Sequence, residues 1–282
     1  MLQLGAMRLV EDPLLVSQAG SWLLAAIDES SVTVGGLASD SFEHYARVFH
    51  PAMREATEAD LPLRSEDESA TGVPVQRRAP YGVVMREVTW TEVAHTNGKV
   101  AHAGMQWASI TGSFRFLERG SQPGLWDERP QQGSLPRRLA HVLSQSLEPF
   151  TGTPNQCWFA VWEGYGDLVG LRAYRDLPRL AIAGNYMLLG EGPLDAITAS
   201  PFSDPGHQPL LADRYRSPNL WWPDDHAWCV ATGIDFDSTY LGASAECVRA
   251  VTDEPQLEAM RIPKDQKVTW DSDALNPVPP RE

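Results

Sequence analysis

A chain of 282 residues with 43% hydrophobic content carries enough apolar material for one large core or two small ones. Its formal net charge of -14 argues against nucleic acid as a partner, because a polyanion needs a basic face, and disfavours docking on anionic lipid. The longest apolar run near the N-terminus, Trp22–Ile27, falls far short of the ~20 residues of a spanning helix, and MLQLGAMRLVEDP carries acids where a signal peptide has a basic flank, so a cytoplasmic protein is expected.

Residues 14–37 read as β structure: Trp22–Ile27 is an apolar run, and Ser31–Val34 alternates before the Gly35-Gly36 turn. Ser41 is placed to cap a short helix with Phe42, Tyr45, Ala46 and Phe49 on one face, which Pro51 ends. His50, just before that proline, reads as a helix-end histidine. Residues 54–78 are polar and without periodicity, which predicts a mobile insert. Val83–Val88 reads as a strand. Thr89 and Glu92 then form a capping-box pattern for a helix that Asn97-Gly98 stops. That stop separates His95 from His102, so the two do not form a helical metal-ligand pair.

Residues 112–133 are rich in Gly, Pro and charge and read as a loop. Ser134 is placed to cap a helix whose stripe is Leu135, Leu139, Val142, Leu143 and Leu147. Cys157–Trp162 is apolar on both faces, as a central strand is. Leu180–Ala183 and Tyr186–Leu189, linked by Gly184-Asn185, read as a hairpin with a type II′ turn. A loop follows over residues 200–217, and a frayed tail is expected after Asp271. Three cysteines at spacings of 72 and 18 make neither a disulfide framework nor a Cys-x-x-Cys metal site.

The most distinctive stretch is Asn219–Val251. From Trp228 to Ile234 bulky and small residues alternate: Trp228, Val230, Thr232 and Ile234 share one face, and Cys229, Ala231 and Gly233 the other. Such a small-residue face admits close packing by a helix or a ligand. A turn at Asp235–Ser238 leads to a returning strand, then to a helix capped by Ser244. Trp221 and Trp222, followed by Pro223, Asp224, Asp225 and His226, suggest an aromatic and acidic surface that stacks on a ligand or a partner's side chain; the same pattern arises where both rings plug the end of a sheet and the acids are solvated turn residues. Adjacent acids are expected to raise the pKa of His226. Asp235 and Asp237 form an Asp-x-Asp after an apolar strand, the pattern that can hold a divalent cation on a diphosphate. An Asx-rich turn produces the same pattern without a metal.

The strings YARVFHPA (Tyr45–Ala52), CWFAVWEGYGDL (Cys157–Leu168) and WWPDDHAWCVATGIDFDSTYLGAS (Trp221–Ser244) resemble a family of actinobacterial-type hypothetical proteins. The resemblance spans most of the chain outside the insert and the tail. It implies a cytosolic bacterial protein with one integrated architecture, and it brings no catalytic residues. The alternation of sheet and helices is also similar, at the level of fold alone, to immunity proteins that neutralise bacterial toxins.

These readings converge on an α+β fold with a mixed, mainly antiparallel central sheet and helices packed against it. Residues 1–110 are expected to add strands and short helices, as part of the body or as a subdomain; residues 111–270 form the core, and 271–282 the tail. The expected function is a non-catalytic binding or interaction protein, without cofactor. Trp221, Trp222, Asp224, Asp225 and His226 would meet a protein partner or a small polar ligand. The alternative is a metal-assisted transferase or hydrolase with a divalent metal on Asp235 and Asp237 and His226 as acid or base.

Overall fold

The computed structural model of the chain describes residues 3–4, 6–24, 26–27, 32–57, 77–78, 84–165, 174–182, 184–199 and 215–281. In chain order the elements are β1 (Gln3–Leu4), β2 (Met7–Leu9), α1 (Pro13–Leu24), α2 (Val34–Ala38), β3 (His44–Phe49), β4 (Ala52–Glu55), β5 (Arg77–Arg78) and β6 (Val84–Val88). The helices α3 (Trp90–Thr96), α4 (Trp107–Ile110), α5 (Phe114–Arg119) and α6 (Arg137–Leu147) follow. Then come β7 (Cys157–Trp162), β8 (Leu180–Ile182), β9 (Asn185–Gly192), β10 (Leu220–Pro223), β11 (Cys229–Ala231), β12 (Ser238–Ala243), α7 (Ala245–Thr252) and β13 (Ala259–Arg261). The fold is α+β, with a mainly antiparallel central sheet and helices packed against it. Among the described residues no helix is long and apolar enough to cross a membrane.

The chain divides into two compact units, Met1–Val48 with Gln132–Val268, and Phe49–Gln131 with Thr269–Glu282. The expected boundary near residue 110 therefore lies inside the second unit. In the first unit, the described strands of the central sheet run β1-β2-β9-β7-β10-β11-β12-β3-β13, with β8 also on β9. The register Leu189–Ala160–Leu220–Ala231–Tyr240 places these residues in one row across β9, β7, β10, β11 and β12. One face carries Phe159, Trp221, Val230 and Leu241 against Leu139, Leu143 and Leu147 of α6 and Val248 and Val251 of α7, in the main core. The opposite face is covered by α1 and α2. A Cβ on Gly20 of α1 would stand 2.2 Å from Leu180 of β8, and one on Gly242 of β12 would stand 2.9 Å from the Ala38 carbonyl oxygen of α2. The second unit has the small sheet β4-β6-β5 and a run of touching rings. Phe49, Trp90, Trp107 and Trp126 follow one another at centroid distances of 5.0, 5.3 and 5.2 Å.

Several local expectations are corrected. Residues 14–37 hold two helices, not strands. Asp12 accepts the Leu14 N–H at 2.9 Å and Pro13 takes the first helical position, a start signal independent of apolar periodicity. The segment after Ser41 is a strand, because Tyr45 to Phe49 are all buried and both faces of β3 are covered. His50 is buried, and its Nδ1 bonds to the Gln131 carbonyl at 2.7 Å. Residues 114–119 of the expected loop form α5, capped by Ser113 and closed by Gly120 at φ 69°. Ser134 does not cap α6; its hydroxyl accepts the Ser217 N–H, and the Ser217 hydroxyl accepts the Leu135 N–H. The β8–β9 register pairs Ile182 with Asn185, which makes Gly184 the second linking residue rather than the first. The tail is anchored, with Asp273 and Asn276 buried. Most of the insert expected at 54–78, and residues 200–214 of the later loop, lie outside the described residues.

Candidate functional site

β10 separates the two tryptophans of the sequence motif. Trp221 points into the α6/α7 core and meets Trp228 edge-on at 5.3 Å. Trp222 points to the other face and meets Trp22 of α1 at 6.1 Å. Both indoles are fully buried, so neither offers a ring face to solvent. This corrects the expected aromatic surface: alternation along a strand buried on both faces sends consecutive rings into separate layers.

The acids beside them secure the turn. Asp224 accepts the Trp158 indole N–H at 2.9 Å. Asp225 accepts the Thr151 hydroxyl at 2.9 Å, the Gly152 N–H at 2.6 Å and the Ala227 N–H at 3.1 Å. His226 closes the turn in left-handed backbone at φ 55° and stacks on Trp22 with centroids 4.5 Å apart. Burial of that ring face lowers its pKa, and the opposing pull of Asp224 and Asp225 does not overcome it. The expected rise is thus reversed, because desolvation of the imidazolium outweighs carboxylates that face other donors.

Asp235 and Asp237 lie in the turn between β11 and β12, Asp235 exposed and Asp237 half-buried. Among the described residues no three His, Cys, Asp or Glu side chains cluster as metal ligands. The three cysteines are free and buried. Burial pushes the thiols of Cys157 and Cys247 up to about 12 and that of Cys229 higher still, which leaves them as neutral core groups.

The second half of the same stretch does something the sequence reading missed. Residues 231–236 wall a cavity of about 220 Å³ on the α1/α2 face of the sheet. Ile27, Val32, Gly36 and Leu37 line it on one side, and Ile182, Asn185, Met187, Asn219 and Leu220 also contribute to its wall, which is open to solvent. The cause is local. α2 is only five residues long, capped by the Thr33 hydroxyl on the Gly36 N–H at 3.2 Å and pinned by the Gly35 N–H on the Lys264 carbonyl at 2.8 Å. Beneath its end Ala231 presents only a methyl group to the cavity, while the Phe236 ring lies where a side chain on Gly233 would stand. The small-residue face of β11 admits the close helix packing expected from sequence: α2 packs on β11 and β12, and a space lies beside it.

Two of the cavity's polar groups are already engaged. The Asn219 amide donates to Tyr165 Oη at 2.9 Å and to the Thr232 carbonyl at 3.1 Å, and accepts the Trp162 N–H at 2.9 Å. The Thr232 and Thr239 hydroxyls bond each other at 2.8 Å. Asp235 lies at the exposed rim. A larger depression of about 510 Å³ near His141, Glu148 and Asp195 has walls of mixed polar and apolar character, which supply less drive to bury an apolar ligand than the mainly apolar walls of the smaller cavity. No protein-family model, curated protein or solved structure matches the chain.

Proposed function

We propose that this chain is a non-catalytic binding protein, and that its site is the cavity walled by residues 231–236 rather than the Trp221–His226 turn. The observation that carries the reading is the cavity itself: about 220 Å³, with Ile27, Val32, Leu37, Ile182, Met187, Leu220, Ile234 and Phe236 in its walls. An apolar cavity of about 150 Å³ holds benzene, so this volume suits a substituted single ring or an aliphatic molecule of similar size. Burying such a ligand's surface at about 25 cal/mol per Å² supplies the driving force. Among the described residues no His, Cys, Ser or Lys lines the wall, which favours holding a molecule over transforming it.

The test is a thermal-shift and calorimetric screen of the intact chain with benzene, toluene, indole and benzyl alcohol. A ligand present at 100 times its Kd stabilises the fold by about 2.7 kcal/mol, a shift of several degrees in Tm. Two variants block the site differently: Ala231→Leu fills it from the floor, and Val32→Phe obstructs the mouth. Both should abolish the shift while the far-UV spectrum stays native. No shift with any probe, or shifts that survive both variants, would overturn the reading.

A further inference from the structure

We infer that the cavity selects amines: its preferred occupant is a small molecule with an apolar body and a single ammonium group seated on Asp235. This rests on the cavity reading and adds the ligand's charge. The walls around Val32, Leu220, Ile234 and Phe236 are apolar, while Asp235 stands at the rim and is itself exposed. Among the described residues none donates a hydrogen bond to its carboxylate or forms an ion pair with it. Its polar neighbours are otherwise occupied. The Asn219 amide is bonded to Tyr165, Thr232 and Trp162. A ligand whose carbon body enters the cavity and whose head stays at the rim thus meets one carboxylate. A cationic head gains a charge-assisted hydrogen bond there, a neutral head gains a weaker one, and an anionic head is repelled. The chain's net charge of -14 works in the same direction by raising the local concentration of cations.

Three probes with the same ring and different charge separate the alternatives: benzylamine, benzyl alcohol and benzoate, each titrated calorimetrically into the full chain at neutral pH. Benzylamine should bind about five-fold tighter than benzyl alcohol, the scale of a rim-exposed ion pair, and benzoate most weakly. Asp235→Asn should bring benzylamine to the level of benzyl alcohol and change benzyl alcohol far less, because the Asn carbonyl still accepts a hydroxyl. Raising salt from about 0.05 to about 0.5 M on the unaltered chain should erode the amine's advantage alone, a readout that needs no variant. If benzyl alcohol binds and benzylamine binds no tighter, or if the advantage survives Asp235→Asn and salt, amine selection is overturned and the apolar site stands. If none of the three binds, the cavity reading falls and this inference falls with it.

Discussion

Asp225 shows how far a residue's environment decides its role. In sequence it is an acid beside two tryptophans; in the fold it holds two loops together. Its carboxylate takes a hydroxyl and two backbone N–H groups, while its own N–H donates to the Thr153 hydroxyl at 3.2 Å. Replacing it with Ala leaves those donors to solvent. Because the site is exposed, water satisfies part of the loss, and Asp225→Ala should destabilise by about 1 kcal/mol. Urea denaturation at neutral pH measures this through the midpoint at constant slope. An unchanged midpoint would mean that Asp224 on Trp158 and the stacking of His226 on Trp22 hold the turn without the Asp225 carboxylate. The two tryptophans carry the complementary lesson. Trp221 and Trp222 are adjacent and chemically identical, yet β10 sends them to opposite layers. Nothing in a dipeptide reveals that both faces of its strand are covered; that depends on helices far away in the chain.

At the scale of elements, what was legible followed from signals that need no tertiary partner. The helix after Thr89 was readable because its start and stop are chemical: Thr89 accepts the Glu92 N–H at 3.1 Å, and Gly98 leaves in left-handed backbone at φ 65°. The reciprocal half of that capping box is absent, since Glu92 turns to Arg86 at 2.8 Å. The apolar stripe of α6 and the two-sided apolar run of β7 were equally direct, and Leu139, Leu143, Cys157 and Phe159 do meet in one core. β3 was misread because Tyr45, Ala46 and Phe49, buried on both faces of a strand, mimic helical spacing. α1 was misread because its apolar run resembles a strand, although Asp12-Pro13 announces a helix. The cavity was half legible. Ala231 and Gly233 marked a smooth face, but whether a helix covers all of that face depends on the length of α2. The approach of α2 to the sheet is itself testable. Gly242 lies where a Cβ would meet the Ala38 carbonyl at 2.9 Å and Phe42 Cδ2 at 2.5 Å. Gly242→Ala should therefore force α2 outward and destabilise by about 1–3 kcal/mol, the range of overpacking in a filled core. Chemical denaturation gives the magnitude. Hydrogen exchange should locate the loosening at residues 34–38, and a loss spread evenly over the sheet would contradict that assignment.

At the scale of the whole molecule, each unit is assembled from two stretches of chain, and the second unit depends on its C-terminal stretch. Asp273 is the centre of that dependence. Its Oδ1 accepts His102 Nε2–H at 2.9 Å and the backbone N–H groups of Leu275 and Asn276; its Oδ2 accepts the Gln106 N–H and the Asn276 amide. His102 Nδ1 accepts the Gly104 N–H at 3.2 Å, so in the neutral ring the proton sits on Nε2 and points at the carboxylate. Both imidazole nitrogens are engaged, which makes this His–Asp pair a clamp on the chain rather than a base. Burial alone would raise the Asp273 pKa; hydrogen bonds from Asn276 and Leu275 and the attraction of His102 outweigh it, and the carboxyl is held below its ordinary value of 3.8. A carboxyl whose folded pKa is depressed binds its proton more readily in the unfolded chain. Its contribution is therefore complete above about pH 4 and is lost as pH falls through the lower folded value. The second unit should consequently loosen first in acid: amides of residues 100–106 and 272–276 should lose exchange protection below about pH 4 while those of β7 in the first unit retain theirs. Asp273→Asn should destabilise by about 2–3 kcal/mol at neutral pH, the scale of hydrogen bonds to a buried charge, and should flatten the acid limb, because the group that titrates is gone. If the variant kept the full acid dependence, other carboxylates would carry it, and the clamp would be a bystander to the acid sensitivity of the unit.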